Sequence, residues 1–131
     1  VNHKNAKQLL FELGGLEIAT MAGMFLGAVE EQLPIVIDGA ISTAAALAAS
    51  RICEKEKAVA DVTLASHVSK DGAARKALEA LGLRAIIDAD MSLGEGSGAV
   101  LLLPLLDAAL AVYRGMGSFD DIHVEAYHRF K

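Results

Sequence analysis

Residues 34–38, Pro-Ile-Val-Ile-Asp, constrain the fold of this chain more than any other segment. Consecutive β-branched residues that lead into an acidic residue are typical of a buried strand in a parallel sheet. Helical patterns flank this run: apolar residues recur every three or four positions from Leu16 to Val29, and an Ala-rich segment extends to Ile52. Strands that alternate with helices predict an α/β protein, three-layered with a mainly parallel sheet.

The rest of the chain continues this alternation. It predicts helices at 6–12, Lys70–Leu81 and Ser97–Val112, and strands at Val59–Ala65 and Arg84–Asp88. The helix from Ser97 is strongly apolar, but it is shorter than the roughly 20 residues that cross a bilayer and contains Pro104. We therefore expect a helix buried in protein, and no membrane as partner.

Composition excludes several classes of function. The net charge is −5 without a Lys/Arg cluster, which argues against nucleic acid and anionic membranes as partners. Apolar residues make up 53% of the chain and aromatic residues are few, so the core must consist mainly of Ala, Leu, Ile, Val and Met. The single cysteine, Cys53, cannot form an internal disulfide and predicts a reducing, cytoplasmic compartment. The four histidines lack metal-ligand spacing, so no metal site is expected.

Polar clusters follow the predicted strands, at the edge of a parallel sheet where ligands bind. They are Asp38-Gly39, Ser66-His67-Val68-Ser69 and Gly94-Glu95-Gly96. We expect these segments to converge on one site. Asp38 could orient a hydroxyl or a helix N-terminus, or could cap only the Ala-rich helix that follows it, a position that Ser42 or Thr43 could also fill.

Glu95 is the candidate for acid–base chemistry, because its flanking glycines leave room for a ligand to approach the backbone. Burial in apolar surroundings would make its carboxylate a better general base. The backbone N–H groups before the next helix, those around Gly39, and the Ser69 hydroxyl could hold an anion such as phosphate. A Gly-rich turn that carries a solvated Glu is the alternative. His67 has no Ser-His-Asp or Cys partner in the sequence, and a structural histidine at a strand end is the simpler interpretation.

Four segments together resemble the nicotinate-nucleotide–dimethylbenzimidazole phosphoribosyltransferase family, at compatible spacing and over nearly the whole chain. They are Gly14–Gly23, Ile35–Leu47, Ala65–Ser69 and Leu93–Ala99, the last reading Leu-Gly-Glu-Gly-Ser-Gly-Ala. The resemblance implies the C-terminal part, residues 1–131, of a Rossmann-like catalytic domain whose N-terminal portion is absent. It also implies transfer of phosphoribosyl from nicotinate mononucleotide to 5,6-dimethylbenzimidazole, giving α-ribazole 5′-phosphate and nicotinate, without a cofactor.

The resemblance also assigns roles to residues. Glu95 would be the general base that takes the azole proton, and Leu93, Gly94 and Gly96 would line the substrate site around it. Asp38, Gly39 and Ser69 would lie on the ribose-phosphate side, and Glu17 would be an acidic residue near the same pocket. Ser92 stands where relatives often have arginine. The resemblance further implies a homodimer, and an N-terminal portion that supplies much of both base pockets.

Other functions remain open from the sequence. The acceptor could be another benzimidazole, a purine or a phenol, whose O–H proton the same glutamate would accept. The chain could also be a non-catalytic partner subunit or fragment. A dinucleotide-binding module is a weaker alternative, because Gly-Glu-Gly-Ser-Gly is too compressed for that fingerprint.

Overall fold

The computed structural model describes residues 3–55, 57–92, 94–119, 121 and 123–125, with side chains from Ala6 onward. Along these residues the order of elements is α1 (His3–Leu13), α2 (Leu16–Glu31), β1 (Ile35–Ile37), α3 (Gly39–Ile52), α4 (Ala58–Asp61), β2 (Thr63–Ala65), β3 (His67–Ser69), α5 (Gly72–Leu81), β4 (Ile87–Met91) and α6 (Ser97–Gly115). Mixed helices and short strands confirm the predicted α/β class.

The described strands form two parallel pairs. β1 pairs with β2 in the register Ile37↔Ala65, and β3 pairs with β4 in the register Ser69↔Met91. Only Ser66 separates β2 from β3, so one extended run of chain pairs first with β1 and then with β4. Parallel pairing was predicted, and it brings the carboxyl ends of β1 and β2 together.

Two predicted strands have different bounds in the structure. The first half of Val59–Ala65 is the helical turn α4, because Asp61 N–H bonds the carbonyl of Lys57 and the Thr63 hydroxyl bonds that of Val59. The strand predicted at Arg84–Asp88 begins only at Ile87, because Gly82 is left-handed and the chain turns back on the end of α5. The polar cluster predicted at the end of the second strand, Ser66-His67-Val68-Ser69, contains the separate strand β3.

Helix α3 begins earlier than predicted. Gly39 is its first residue and Asp38 is its N-cap, but the Asp38 side chain makes no bond to α3. Ser42 and Thr43 lie inside the first turn, where both hydroxyls bond the carbonyl of Gly39. The predicted capping of α3 by Ser42 or Thr43 is therefore wrong.

The core lies between helices α2, α3 and α5 and the strands. Its members are small or aliphatic apart from one phenylalanine: Ala22, Phe25, Val29, Ile37, Ala45, Ala46, Ala49, Val59, Ala65, Val68, Leu78 and Leu81. The alanines of α3 in this set are fully buried, so neighbouring helices approach it closely. Because α3 is packed tightly in the core, the position of Asp38, the residue directly before it, is fixed.

Helix α6 is not buried within the described residues, which corrects the prediction for this segment. Only Gly98 and Leu102 of its 19 residues are buried, and its exposed side chains include Val100, Leu101 and Leu103. By length and composition alone α6 could cross a membrane, a property that core helices of soluble proteins share. In a larger assembly, an apolar surface of this size is normally covered.

Candidate active site

Strand register brings the first two predicted clusters together. Because Ile37 lies opposite Ala65, the residues that follow them, Asp38 and Ser66, leave the sheet side by side. The N–H and the hydroxyl of Ser66 both donate to the carbonyl of Ile37, at 3.3 and 2.6 Å. His67 follows Ser66, and its Nδ1 lies 3.8 Å from Oδ1 of Asp38.

The Asp38 carboxylate joins these strand ends to the third cluster. Its Oδ2 accepts the N–H of Gly96 at 2.8 Å, and its Oδ1 accepts the N–H of Ala99 at 2.8 Å. Ala99 lies in the first turn of α6 and Gly96 is the residue directly before that helix, so neither N–H has a partner within the helix. The Asp38 side chain therefore caps a helix that begins 59 positions later in the chain, although the residue itself occupies the N-cap position of α3.

Glu95 lies at the tip of the loop that Asp38 holds. The Ser97 N–H bonds the carbonyl of Gly94 at 3.3 Å, and the two residues between them, Glu95 and Gly96, have φ of 62° and 84°. Positive φ at both central positions is the property of a type I′ turn. A glutamate with φ of 62° is strained, and residues in such conformations cluster at functional sites.

The side chain of Glu95 is exposed in the part of the chain that the structure describes. The apolar surroundings that the sequence led us to expect around it are therefore not supplied by the described residues. Its neighbours Gly94 and Gly96 have no side chains, and a Cβ added at either glycine would meet open space. The loop thus presents a carboxylate that is flanked on both sides by glycine backbone, and a flat ligand can pack against that backbone.

His67 is a structural histidine, as the sequence indicated. Its ring is buried, and Nδ1 lies 3.1 Å from the Ser66 hydroxyl oxygen. Since that hydroxyl gives its only proton to Ile37, the hydrogen-bond network assigns a proton to Nδ1 of His67. The ring thereby directs an N–H toward the Ser66 oxygen and the Asp38 carboxylate.

Gly98 makes this arrangement possible. A Cβ on Gly98 would overlap Nδ1 of His67 and lie only 2.9 Å from Oδ1 of Asp38. The first turn of α6 therefore packs on the imidazole and carboxylate with no side chain between them. Gly98 belongs to the Gly-rich motif, but the sequence predicted no role for it, since its partner His67 lies 31 positions away.

Two of the amides expected to bind an anion at the start of α6 are occupied by Asp38. The N–H groups of Gly96 and Ala99 bond Asp38, which places the protein's own carboxylate where a phosphate was expected. Gly39 has a φ of 78° and lies beside the His67 ring: a Cβ added to Gly39 would be 3.9 Å from the Cε1 and Nε2 atoms of that ring. Its closeness to the His67 ring agrees with the predicted convergence of the first two clusters.

The remaining predicted residues lie apart from this network. Ser69 ends β3, and its hydroxyl accepts the N–H of Asp71 at 3.3 Å. Glu17 is exposed in the first turn of α2, with its carboxylate folded over Gly15. Among the described residues, no hydrogen bond links either of them to Asp38 or to the Glu95 loop. Leu93 lies outside the described residues.

Two further features bear on the choice of site. A cavity of about 660 Å³ is lined by Arg51, Cys53 and Glu79 among others, at the far ends of α3 and α5. None of the predicted site residues lines it. Within the described residues, no group of three or more His, Cys, Asp or Glu side chains could hold a metal ion.

Comparison with known proteins gives one consistent family. A sequence model of the family described as phosphoribosyltransferase matches residues 1–124. Nicotinate-nucleotide–dimethylbenzimidazole phosphoribosyltransferase of Acetivibrio thermocellus is 44% identical over 116 residues, which are 88% of this chain and 32% of that protein. The protein of the same name from Escherichia coli O1:K1 is 43% identical over the same shares.

Solved structures show the same relationship. CobT of Thermus thermophilus matches with a TM-score of 0.76 at 42% identity, covering 87% of this chain and 33% of its own. A second structure, of the nicotinate-nucleotide–dimethylbenzimidazole phosphoribosyltransferase from that organism, matches with a TM-score of 0.78 at 41% identity, covering 91% and 35%. The chain thus spans about a third of the length of the relatives it matches.

Proposed function

This chain belongs to the phosphoribosyltransferase family, and from that premise we propose that Glu95 is the general base of a phosphoribosyl transfer. The donor is nicotinate mononucleotide and the acceptor 5,6-dimethylbenzimidazole. The support is the function for which relatives that are 43–44% identical are named, together with the position of Glu95 in the loop that Asp38 holds. The chain is the C-terminal part of the catalytic domain in this proposal.

The reaction needs one proton acceptor and one leaving group. Glu95 takes the N–H proton of the acceptor ring, and that nitrogen forms a bond to C1′ of the ribose. The bond from C1′ to the nicotinate nitrogen breaks, and its electron pair stays on nicotinate. The products are α-ribazole 5′-phosphate, nicotinate and one proton, which Glu95 releases to water before the next turnover, so atoms and charge balance without a cofactor.

The observation that carries the proposal is the exposed carboxylate in a strained turn between two glycines. A φ of 62° at a glutamate costs about 1–2 kcal/mol relative to an ordinary backbone conformation. Glycine would avoid that cost at this position, and the glutamate supplies instead the carboxylate that a general base requires. The open space around Gly94 and Gly96 suits a planar ring lying against the backbone.

Substrate itself supplies part of the apolar environment in this proposal. An aromatic acceptor packed on the loop would exclude water from Glu95, which strengthens a carboxylate as a base. Leu93, Gly94 and Gly96 would line that ring. Gly39 and Ser69 would bind the ribose-phosphate side, and Glu17 would approach the pocket from the first turn of α2.

The proposal keeps two further predictions about the whole protein. A homodimer would provide cover for exposed apolar side chains such as Val100, Leu103 and Val112 of α6. A cytoplasmic location agrees with the single half-buried thiol of Cys53, which has no partner for a disulfide.

The decisive experiment compares Glu95→Gln with Glu79→Gln in the protein that contains this chain. Nicotinate release is measured with nicotinate mononucleotide and 5,6-dimethylbenzimidazole. We expect Glu95→Gln to lower kcat by about a hundredfold or more, the scale for loss of a positioned general base. Glu79, which is exposed on α5, should tolerate the same change.

A Glu95→Gln protein that releases nicotinate at the parental rate would contradict the general-base role. A parent protein that releases none with this acceptor would contradict the acceptor assignment. The same assay with purines, phenols and other benzimidazoles would then identify the acceptor. If Glu95→Gln leaves nicotinate release unchanged with every acceptor, the result would favour a non-catalytic subunit.

A further inference from the structure

We propose that Asp38 is a positioning residue that acts on the rate through Glu95, and not by holding substrate. The inference rests on the proposed function, because it concerns the residue that places the general base. The resemblance had assigned Asp38 to the ribose-phosphate side. The hydrogen bonds of its carboxylate indicate a different task.

Both carboxylate oxygens of Asp38 already accept backbone N–H groups, one in the Glu95 loop and one in the first turn of α6. Oδ2 accepts the N–H of Gly96, the residue directly after Glu95, and Oδ1 accepts the N–H of Ala99. Both bonds are 2.8 Å long, the length expected for hydrogen bonds to an ionised acceptor. Asp38 therefore fixes the peptide that leads out of Glu95 and the helix that continues from it.

Glu95 depends on this anchor, because its own side chain makes no hydrogen bond among the described residues. Within the described part of the chain, its position is set by the backbone of the turn, in which it has a φ of 62°. A strained conformation persists only where surrounding contacts hold it. Among the described residues, the bond from Gly96 N–H to Asp38 is the long-range hydrogen bond nearest to Glu95 in sequence.

Asp38 is itself held firmly from three sides. Its N–H donates to the Ser42 hydroxyl at 2.9 Å, and the preceding residue, Ile37, is paired to β2. The buried His67 ring lies behind Oδ1, and the side chain of Asp38 is only 15% exposed. The carboxylate is thus a rigid link between the sheet and the Glu95 loop, with little surface left for a ligand.

Asparagine at position 38 separates the two roles. Its carbonyl oxygen can replace one carboxylate oxygen, but its NH2 group must then face one of the two backbone N–H groups, and two donors cannot bond each other. The oxygen is better placed toward Ala99 and His67 Nδ1. The NH2 group then opposes the N–H of Gly96, beside Glu95.

The experiment measures kcat, both KM values and amide hydrogen exchange for Asp38→Asn in the protein that contains this chain. The matched control is Asp71→Asn, since Asp71 caps α5 through a single bond to Ala73 N–H, which asparagine can also accept. For Asp38→Asn we expect kcat to fall by about tenfold to a hundredfold, the scale of a displacement of about 1 Å. Both KM values should stay within about twofold of the parental values, because the substitution removes no contact with the bound substrates. Exchange at the Gly96 and Ala99 amides should accelerate.

The outcomes distinguish this inference from the proposed function. A raised KM for nicotinate mononucleotide with unaltered kcat and unaltered exchange would overturn the positioning role and indicate direct substrate contact. If Glu95→Gln has no effect on rate, the general-base role fails, yet faster exchange at Gly96 and Ala99 would still show that Asp38 holds the loop. If Asp38→Asn does not fold, Ser42→Ala loosens Asp38 from its backbone side. It should lower kcat in the same direction, and an unchanged kcat would refute the inference.

Discussion

The substitution Gly98→Ala tests the packing at the centre of the site. Gly98 lies in the first turn of α6 against the His67 ring and the Asp38 carboxylate, and one added methyl group would occupy space that both already fill. The ring cannot swing away at low cost, because it is buried and bonded to Ser66. Either α6 or Asp38 must therefore move.

The sign of the effect follows from magnitudes. Alanine in a helix is favoured over glycine by about 0.5–1 kcal/mol. Overpacking of a filled site costs about 1–3 kcal/mol, and losing one hydrogen bond to the Asp38 carboxylate costs about 1.5–3 kcal/mol. The losses exceed the gain, so we expect Gly98→Ala to lower the free energy of unfolding by about 1.5–5.5 kcal/mol.

The assay is denaturant unfolding followed by circular dichroism, with Gly23→Ala as the matched control. Gly23 lies within α2, and a Cβ there would meet nothing within 4 Å. The control should gain about 0.5–1 kcal/mol, so the same chemical change should have opposite signs at the two glycines. Equal effects would mean that His67 and Asp38 do not confine Gly98, and the proposed geometry of the site would be wrong.

Two other predictions concern the loop and the phosphate side. Glu95→Gly should raise the free energy of unfolding by up to about 1 kcal/mol, because glycine tolerates positive φ, while phosphoribosyl transfer is lost. The control Lys57→Gly, which relieves a φ of 62° away from the site, should stabilise the protein without loss of activity. Destabilisation by Glu95→Gly would contradict the strained turn. Ser69→Ala should weaken binding of nicotinate mononucleotide by about 1.5–3 kcal/mol, the scale of a hydrogen bond to a charged group; calorimetry that finds unchanged affinity would remove Ser69 from the site.

Local patterns in the sequence predicted most of the helices. The apolar spacing of Lys70–Leu81 and the glycine after it indicated α5 and its end, because both depend on contacts within a few residues. Asp71 caps this helix by a bond two positions away, and Gly82 ends it with φ of 71°. Strands were harder: the apolar run Val59–Ala65 contains a helical turn that no periodicity distinguished from a strand.

Long-range contacts decided the site. Clusters at strand ends were sufficient to predict that Asp38, His67 and Glu95 belong together, because parallel strands present their carboxyl ends on one edge. The sequence could not say what each would do there. Whether the Asp38 side chain caps α3 or α6 depends on where the first turn of α6 lies relative to the strand ends. The exposure of α6 likewise depends on which surfaces pack against it.

The sequence by itself determined the alternation of helices and strands, the glycines around Glu95 and the family to which the chain belongs. These features depend on neighbours in the chain or on segments that can be read separately. Only the tertiary structure decided that Asp38 binds the amides of Gly96 and Ala99 and that Gly98 packs on His67. Those partners lie from 31 to 61 positions apart, and only the packing of strands and helices sets the distance between them.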